Sequence, residues 1–191
     1  MFIASHSHLD HCKEPAAALA ADAAAAAADL IIQSRIGLER SLQSVLPDAT
    51  FTCVEDSRIA SDVDAAAAPV EVLDVFHAEI DGEHAGWAVK VSSRGYGGPM
   101  ILVIGMDTSG STTGVSILSM NETPGLGTKV QSESWFLEQF AGLPGGYTDA
   151  DVRALDAISG STRSSNGIRN GVAAAGRVDT EVLSEMEGGP E

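Results

Sequence analysis

Apolar residues in the first quarter of the chain recur at helical intervals. Leu30, Ile31, Ile32, Ile36, Leu38, Leu42, Val45 and Leu46 fall close to one face of a helix. Alanine fills most of the preceding positions and favours helix at each. A helix is therefore predicted over 16–46, ended by Pro47 and Asp48. Beyond it the period drops to two. A short strand is predicted over 51–54, and 75–80 alternates apolar and polar residues up to the turn Asp81-Gly82-Glu83-His84. The alternation resumes over 86–92, with Trp87, Val89 and Val91 on one face. A glycine-rich loop at 94–99 leads into a continuous apolar run, 100–106. Ser109-Gly110 marks a turn, and 113–120 returns. This is hairpin punctuation and predicts an antiparallel meander.

The remainder reads as loops and short helices. A loop at 121–127 precedes a helix over 134–140, which Leu143-Pro144-Gly145-Gly146 breaks. One helical turn is predicted over 149–155, and a longer helix over 164–175 opened by the hydroxyl-rich segment 159–165, whose side chains would cap it. The acidic, alanine-rich stretch 56–69 reads as a loop or a short surface helix. The fold class is α+β, a twisted antiparallel sheet packed with helices. One domain is expected over 30–177, after a polar leader and alanine-rich segment at 1–29 and before an acidic tail at 178–191 expected to fray.

Composition narrows the functional classes. The hydrophobic fraction is 44%, but much of it is alanine and aromatics are only 5%, so the core must come from a subset, richest over 73–140. Eleven basic against 27 acidic side chains give a formal charge of −16. No basic stripe is present to replace counterions around phosphates, which sets nucleic acid aside. The acidity reads as a solvated, self-repelling surface. Cys12 and Cys53 stand far apart, outside any C-x-x-C pair, and read as two independent thiols. Residues 16–32 come nearest to a membrane span, but Asp22 and Asp29 interrupt them, and a mid-span carboxylate costs about 2.5–3.5 kcal/mol. The first fifteen residues lack a basic region followed by an apolar one, so no secretion signal is read there and a soluble chain is expected.

Two segments carry candidate chemistry. In Asp156-Ala157-Ile158-Ser159-Gly160-Ser161-Thr162-Arg163-Ser164-Ser165, five of ten side chains bear hydroxyls. Gly160 allows a tight path, and the helix that follows aims its N-terminal N–H groups and positive dipole end at the loop. That suits a phosphate, to which Arg163 would add a charge-assisted bond. The same residues also suit an N-cap with redundant serines. In Asn121-Glu122-Thr123-Pro124-Gly125-Leu126-Gly127-Thr128-Lys129, Pro124 and two glycines fix an exposed backbone that a flat ligand can approach, with Leu126 against a ring face. An ordinary turn accounts for it equally.

The first segment resembles the flavinylation motif of the FMN-binding domain family, D-x-x-(S/T)-G-A-T-x-(S/T). Asp156, Ser159, Gly160, Thr162 and Ser164 match, and Ser161 stands where alanine is usual. The resemblance implies that a dedicated flavin transferase joins FMN through a phosphoester to Thr162. The second segment is similar to a loop of the same family, found in the G subunit of the Rnf ion-translocating electron transport complex and in the C subunit of the sodium-pumping NADH:quinone reductase. There too a Trp-Phe helix follows, here Trp135 and Phe136. The similarity covers about 38–175, and the Rnf protein is the better match of the two. What it implies is an electron-carrier subunit rather than a stand-alone enzyme, relaying electrons to other redox subunits of a membrane complex. Ser159, Gly160, Ser161 and Ser164 would hold the phosphate end of FMN; Glu122, Thr123, Gly125, Leu126 and Gly127 would flank its ring. The implied location is the extracytoplasmic face of the cytoplasmic membrane, although 16–32 stands where such proteins carry a membrane-spanning helix.

Other readings stay open at this level: a soluble flavin-dependent reductase, or a structural module without flavin. His6-Ser7-His8-Leu9-Asp10-His11 has the H-x-H-x-D-H spacing of zinc hydrolases. Only His77 and His84 remain downstream as further histidines, which disfavours that fold. Trp87, Trp135 and Phe136 read as core before flavin contacts, His77 as a surface or cross-strand residue, and Tyr96 among its glycines as a candidate lid.

Overall fold

The computed structural model describes residues 14–54 and 57–186. The H-x-H-x-D-H segment and Cys12 lie outside these residues. The chain divides into two compact units, Met1–Leu38 and Glu39–Glu191. Helix α1 spans Glu14–Val45. In the first unit its side chains Leu30, Ile32 and Ile36 are exposed. Among the described side chains, the apolar face predicted for this segment is buried towards its end, at Leu42, Val45 and Leu46.

The second unit is built on a five-stranded antiparallel meander in the order β1-β2-β3-β4-β5. The strands are β1 Thr50–Cys53, β2 Glu71–Ile80, β3 Glu83–Arg94, β4 Pro99–Asp107 and β5 Thr112–Met120. The predicted hairpins are present, with longer strands than the alternation alone marks. Between β1 and β2 lies α2, Ser57–Ala67. After β5 come α3 Lys129–Ser132, α4 Ser134–Glu138, α5 Asp149–Ala154 and α6 Thr162–Glu181, then a 3-10 turn at Leu183–Glu185.

Register places Val75 opposite Val89, Val91 opposite Leu102, and Trp87 opposite Met106. Because side chains alternate along a strand, these residues share one face. They form the main core with Phe136, Phe140, Ile168, Val172 and Val178. Each fully buried large side chain of this kind stabilises by about 1.5–3 kcal/mol. On the opposite face Leu46 and Ala49 pack against Ala78. Val45 sits over Gly105, where an added Cβ would lie 2.8 Å from the Val45 Cβ.

Several elements refine or depart from expectation. Of the two readings of 56–69 the short helix holds, with Asp62 and Asp64 exposed; its inner face, Val63, Ala66 and Ala67, is buried, and α2 packs on α6 and β2. Arg177 of α6 explains its anchorage. Its guanidinium donates to the carbonyls of Ala66 (2.9 Å), Ala67 and Ala68 (both 3.2 Å), and also pairs with Asp149. A cation at these terminal carbonyls satisfies acceptors that the helix leaves unpaired. Helix α6 begins two residues earlier than predicted and continues to Glu181, with Val178 and Leu183 buried in a segment whose acidic composition reads as a tail. Of the two readings of His77 the cross-strand one holds: it is buried, and its Nε2 lies 2.8 Å from Nδ1 of His84 across the hairpin. Trp87 and Phe136 are core, whereas Trp135 is 44% exposed and meets Phe136 edge to face.

Helix α6 seats on the sheet through glycines. A Cβ at Gly167 would lie 2.5 Å from Met100 Cε and 2.7 Å from the Arg94 carbonyl oxygen. At Gly171 it would lie 2.6 Å from Leu102 Cδ1, and at Gly176 2.5 Å from the Tyr147 ring. Ser93 Oγ donates to the Gly167 carbonyl at 2.6 Å, closing the same contact. This seating brings the N-terminus of α6 to the β3–β4 turn.

Candidate functional site

Three loops meet at that N-terminus. The first, 95–98, is the tight turn between β3 and β4, closed by Gly95 N–H on the Gly98 carbonyl at 2.9 Å. The second, 121–128, follows β5. Gly125 adopts φ +79°, a region open to glycine at little cost. Leu126 N–H donates to the Thr123 carbonyl (3.2 Å) and Lys129 N–H to the Leu126 carbonyl (3.1 Å). The turn leaves the Leu126 side chain 52% exposed. The third loop, 155–161, enters α6. Gln139 pins its start: Asp156 N–H donates to Oε1 (2.9 Å), and Nε2 donates to the Asp156 carbonyl (3.0 Å). Its end turns on Gly160 at φ +79°, with Ser161 N–H on the Ile158 carbonyl at 2.9 Å.

The expected capping by the serines takes another form. Ser161 holds the N-cap position, but its side chain makes no cap bond. Instead Ser161 Oγ donates to the Leu126 carbonyl, joining the second loop to the third. Ser165 Oγ likewise turns back and accepts from Ile158 N–H at 3.1 Å. The first intrahelical bond runs from Ser165 N–H to the Ser161 carbonyl, so the N–H groups of Thr162, Arg163 and Ser164 have no intrahelical acceptor. Thr162, the first residue of a 20-residue helix, is exposed there.

Between the loops lies a cavity of about 480 Å³, within the ~300–1,000 Å³ of small-molecule sites. Of the residues singled out in the sequence, Thr123, Leu126, Gly127, Gly160, Ser161, Thr162 and Ser164 line it, and Tyr96 and Arg163 complete the wall. Glu122, Gly125 and Ser159 do not line it. The Glu122 carboxylate instead accepts from the backbone N–H of Tyr96 (2.8 Å) and Gly97 (3.1 Å). The Arg163 guanidinium stands 5.7 Å from the centroid of the Tyr96 ring. Tyr96 and Arg163 can each be suspected from sequence, but not their stacking, because they belong to loops far apart in the chain. The Gln139 pin has no local signal at all: its partner, Asp156, lies beyond the intervening α5.

The arrangement has distinct ends. The free N-terminal N–H groups of α6, the positive end of its dipole and several hydroxyls meet at one wall, a combination that binds phosphate. Tyr96 and Leu126 offer apolar surface on the other. Thr162 stands at the phosphate end with an exposed hydroxyl. These residues fit a flavin mononucleotide, a flat ring system with a phosphate tail. Among the described residues no group of three or more His, Cys, Asp or Glu side chains could hold a metal, and no helix is long and apolar enough to cross a membrane.

The chain is similar to several known proteins. Residues 95–176 match the FMN-binding domain family. The G subunit of the Na(+)-translocating ferredoxin:NAD(+) oxidoreductase complex of Acetobacterium woodii is 35% identical over 143 residues, covering 68% of each chain. The G subunit of the ion-translocating oxidoreductase complex of Stutzerimonas stutzeri is 31% identical over 142 residues, 70% of this chain and 61% of that one. Among solved structures, the C subunit of the Na(+)-translocating NADH-quinone reductase of Parabacteroides distasonis aligns with a TM-score of 0.49 and 22% identity, over 76% of this chain and 82% of that one. The chain belongs to the family of G subunits of ion-translocating oxidoreductase complexes, and its cavity lies in an FMN-binding domain.

Proposed function

We propose that this chain is an electron-relay protein that carries one FMN, phosphoester-linked to Thr162. The observation that carries the reading is the position of Thr162: an exposed hydroxyl at the first turn of α6, on the wall of a cavity shared with the Leu126 loop. In the linkage Thr162 Oγ bonds to the flavin-side phosphorus of a flavin dinucleotide as the pyrophosphate P–O bond breaks; the hydroxyl proton is lost and a nucleoside monophosphate leaves. A flavin transferase supplies the catalysis, so Thr162 is an acceptor and not a catalytic residue. When bound, FMN supplies one- and two-electron redox chemistry. The protein's residues bind and orient it: the α6 N–H groups and the loop hydroxyls hold the phosphate, and Leu126 and Tyr96, with Arg163 over the Tyr96 ring, exclude water from the flavin ring. The relatives' names as parts of ion-translocating complexes support partners that are other redox subunits. The same reading puts the chain on the extracytoplasmic face of the cytoplasmic membrane.

Co-expression with a flavin transferase tests this, read by intact mass and by in-gel fluorescence after denaturation. The parent chain and Ser161→Ala are expected to carry the label, and Thr162→Ala to lose it. A label that survives Thr162→Ala moves the attachment elsewhere and ends the assignment.

A further inference from the structure

Building on the FMN reading above, we infer that Glu122 is a positioning residue that sets Tyr96, backed by Arg163, as a lid on the flavin ring. The two oxygens of Glu122 divide their work. Oε1 accepts from Tyr96 N–H and Oε2 from Gly97 N–H, and hydrogen bonds to an ionised acceptor are the stronger kind. Glycine on each side makes the room. A Cβ at Gly95 would lie 2.0 Å from Oε1, and one at Gly127 2.3 Å from Oε2. The carboxylate thus fills the gap between the β3–β4 turn and the Leu126 loop, and it fixes the backbone from which Tyr96 projects.

Tyr96 itself is 64% exposed while lining the cavity. An aromatic side chain left this open, on a backbone held this firmly, presents a flat apolar face to a flat ligand. Arg163 over the ring supports it from the helix side by a cation–π contact. The lid is therefore assembled from three segments: the ring from the turn, the brace from the strand-end loop, and the cation from α6. Nothing in the flavinylation motif encodes it.

Two measurements separate the brace from the lid. In flavin-free protein, Glu122→Gln loses one of the two acceptors, and amide hydrogen exchange at Tyr96 and Gly97 is expected to rise by about tenfold with the rest of the sheet unchanged. Unchanged exchange at these two amides overturns the brace. In flavin-loaded protein, a phenol in contact with the ring quenches its emission. Tyr96→Phe keeps the ring shape and removes the quencher, so a severalfold rise in flavin emission is expected, and Glu122→Gln should move emission the same way with Tyr96 still present. Emission equal to the parent in Tyr96→Phe overturns the lid, and that variant alters only an exposed hydroxyl. A parent chain that takes up no flavin overturns the reading beneath the lid, whereas the exchange measurement still decides the brace.

Discussion

Ser161 Oγ and the carbonyl oxygen of Leu126, 35 residues apart in sequence, are joined by a hydrogen bond between two residues that line the cavity. Alanine is usual at this place in the flavinylation motif, so the serine adds a tie between the two loops. Removing it leaves the hydroxyl of Thr162 untouched. Ser161→Ala is expected to destabilise by about 0.5–1.5 kcal/mol, a loss of ~2–4 °C in Tm per kcal/mol for a chain of this size. Differential scanning calorimetry measures it, and an unchanged Tm would show that the tie contributes nothing to stability.

Gln139 offers a sharper test of how the third loop is held. Its amide donates to the carbonyls of Phe136 (2.9 Å) and Asp156 (3.0 Å) and accepts from Asp156 N–H. Gln139→Glu keeps the shape, removes both donated bonds and faces a carboxylate towards two carbonyl oxygens. The expected loss is about 1–3 kcal/mol, with slower flavin transfer to Thr162, since the acceptor loop is loosened upstream. Gln139→Glu with parental stability and parental labelling rate would contradict the pin.

Stability should also respond to pH through Asp179. Burial, and then the nearby negative charge of Asp107, hold its carboxyl above the usual carboxylate range. The folded state therefore binds this proton more tightly than the unfolded chain does. Its contribution is fully present below the unfolded Asp pKa of about 3.9 and is lost as pH rises through the folded value. Asp179→Asn is expected to raise Tm at neutral pH and to flatten its fall with rising pH. Asp107 works in the opposite sense. Burial alone would raise its pKa, but the Ser109 hydroxyl and the N–H groups of Ser109 and Ser111 outweigh that and lower it. Its share of stability is present above the unfolded value and is lost as pH falls through the folded one. Thermal melts of parent and Asp179→Asn across the acid range decide the matter; an Asn variant that is less stable at neutral pH would mean the carboxylate has a partner that matters more than its burial.

The meander was legible because strand alternation and turn residues are local signals: Asp81-Gly82 and Ser109-Gly110 fall at the β2–β3 and β4–β5 turns. The contents of the cavity wall were largely legible too, since two motif segments supply most of it. What escaped was long-range. Nothing near Arg177 announces that it will cap α2, so the anchorage of that helix has no local signal and the end of α6 reads as tail. Ser161 sits in sequence where an N-cap belongs, and only the approach of the Leu126 carbonyl draws its hydroxyl away. His77 is polar by composition, yet the hydrogen bond to His84 lets it be buried. Glu122 belongs to the motif, but its carboxylate serves the neighbouring turn.

The seating of α6 yields a further expectation. Gly167→Ala would press a methyl group against the Arg94 carbonyl, 2.7 Å away, and against Met100. Backbone cannot step aside as a flexible side chain can. The expected cost is about 1–3 kcal/mol, typical of overpacking, and flavin labelling at Thr162 should fall as the helix end lifts. Gly142→Ala, at a positive-φ site with open space around it, separates backbone strain from this steric effect: its labelling should match the parent.

Where helix and sheet touch at Gly167, the helix has no side chain between its own backbone and the Arg94 carbonyl. At that contact no helix side chain can rotate to change the spacing, so Thr162, five residues away on the same helix, stands on a firm mount. Cargo fixed there keeps a constant height above the sheet, and its reach towards another molecule is limited to the length of its own tether.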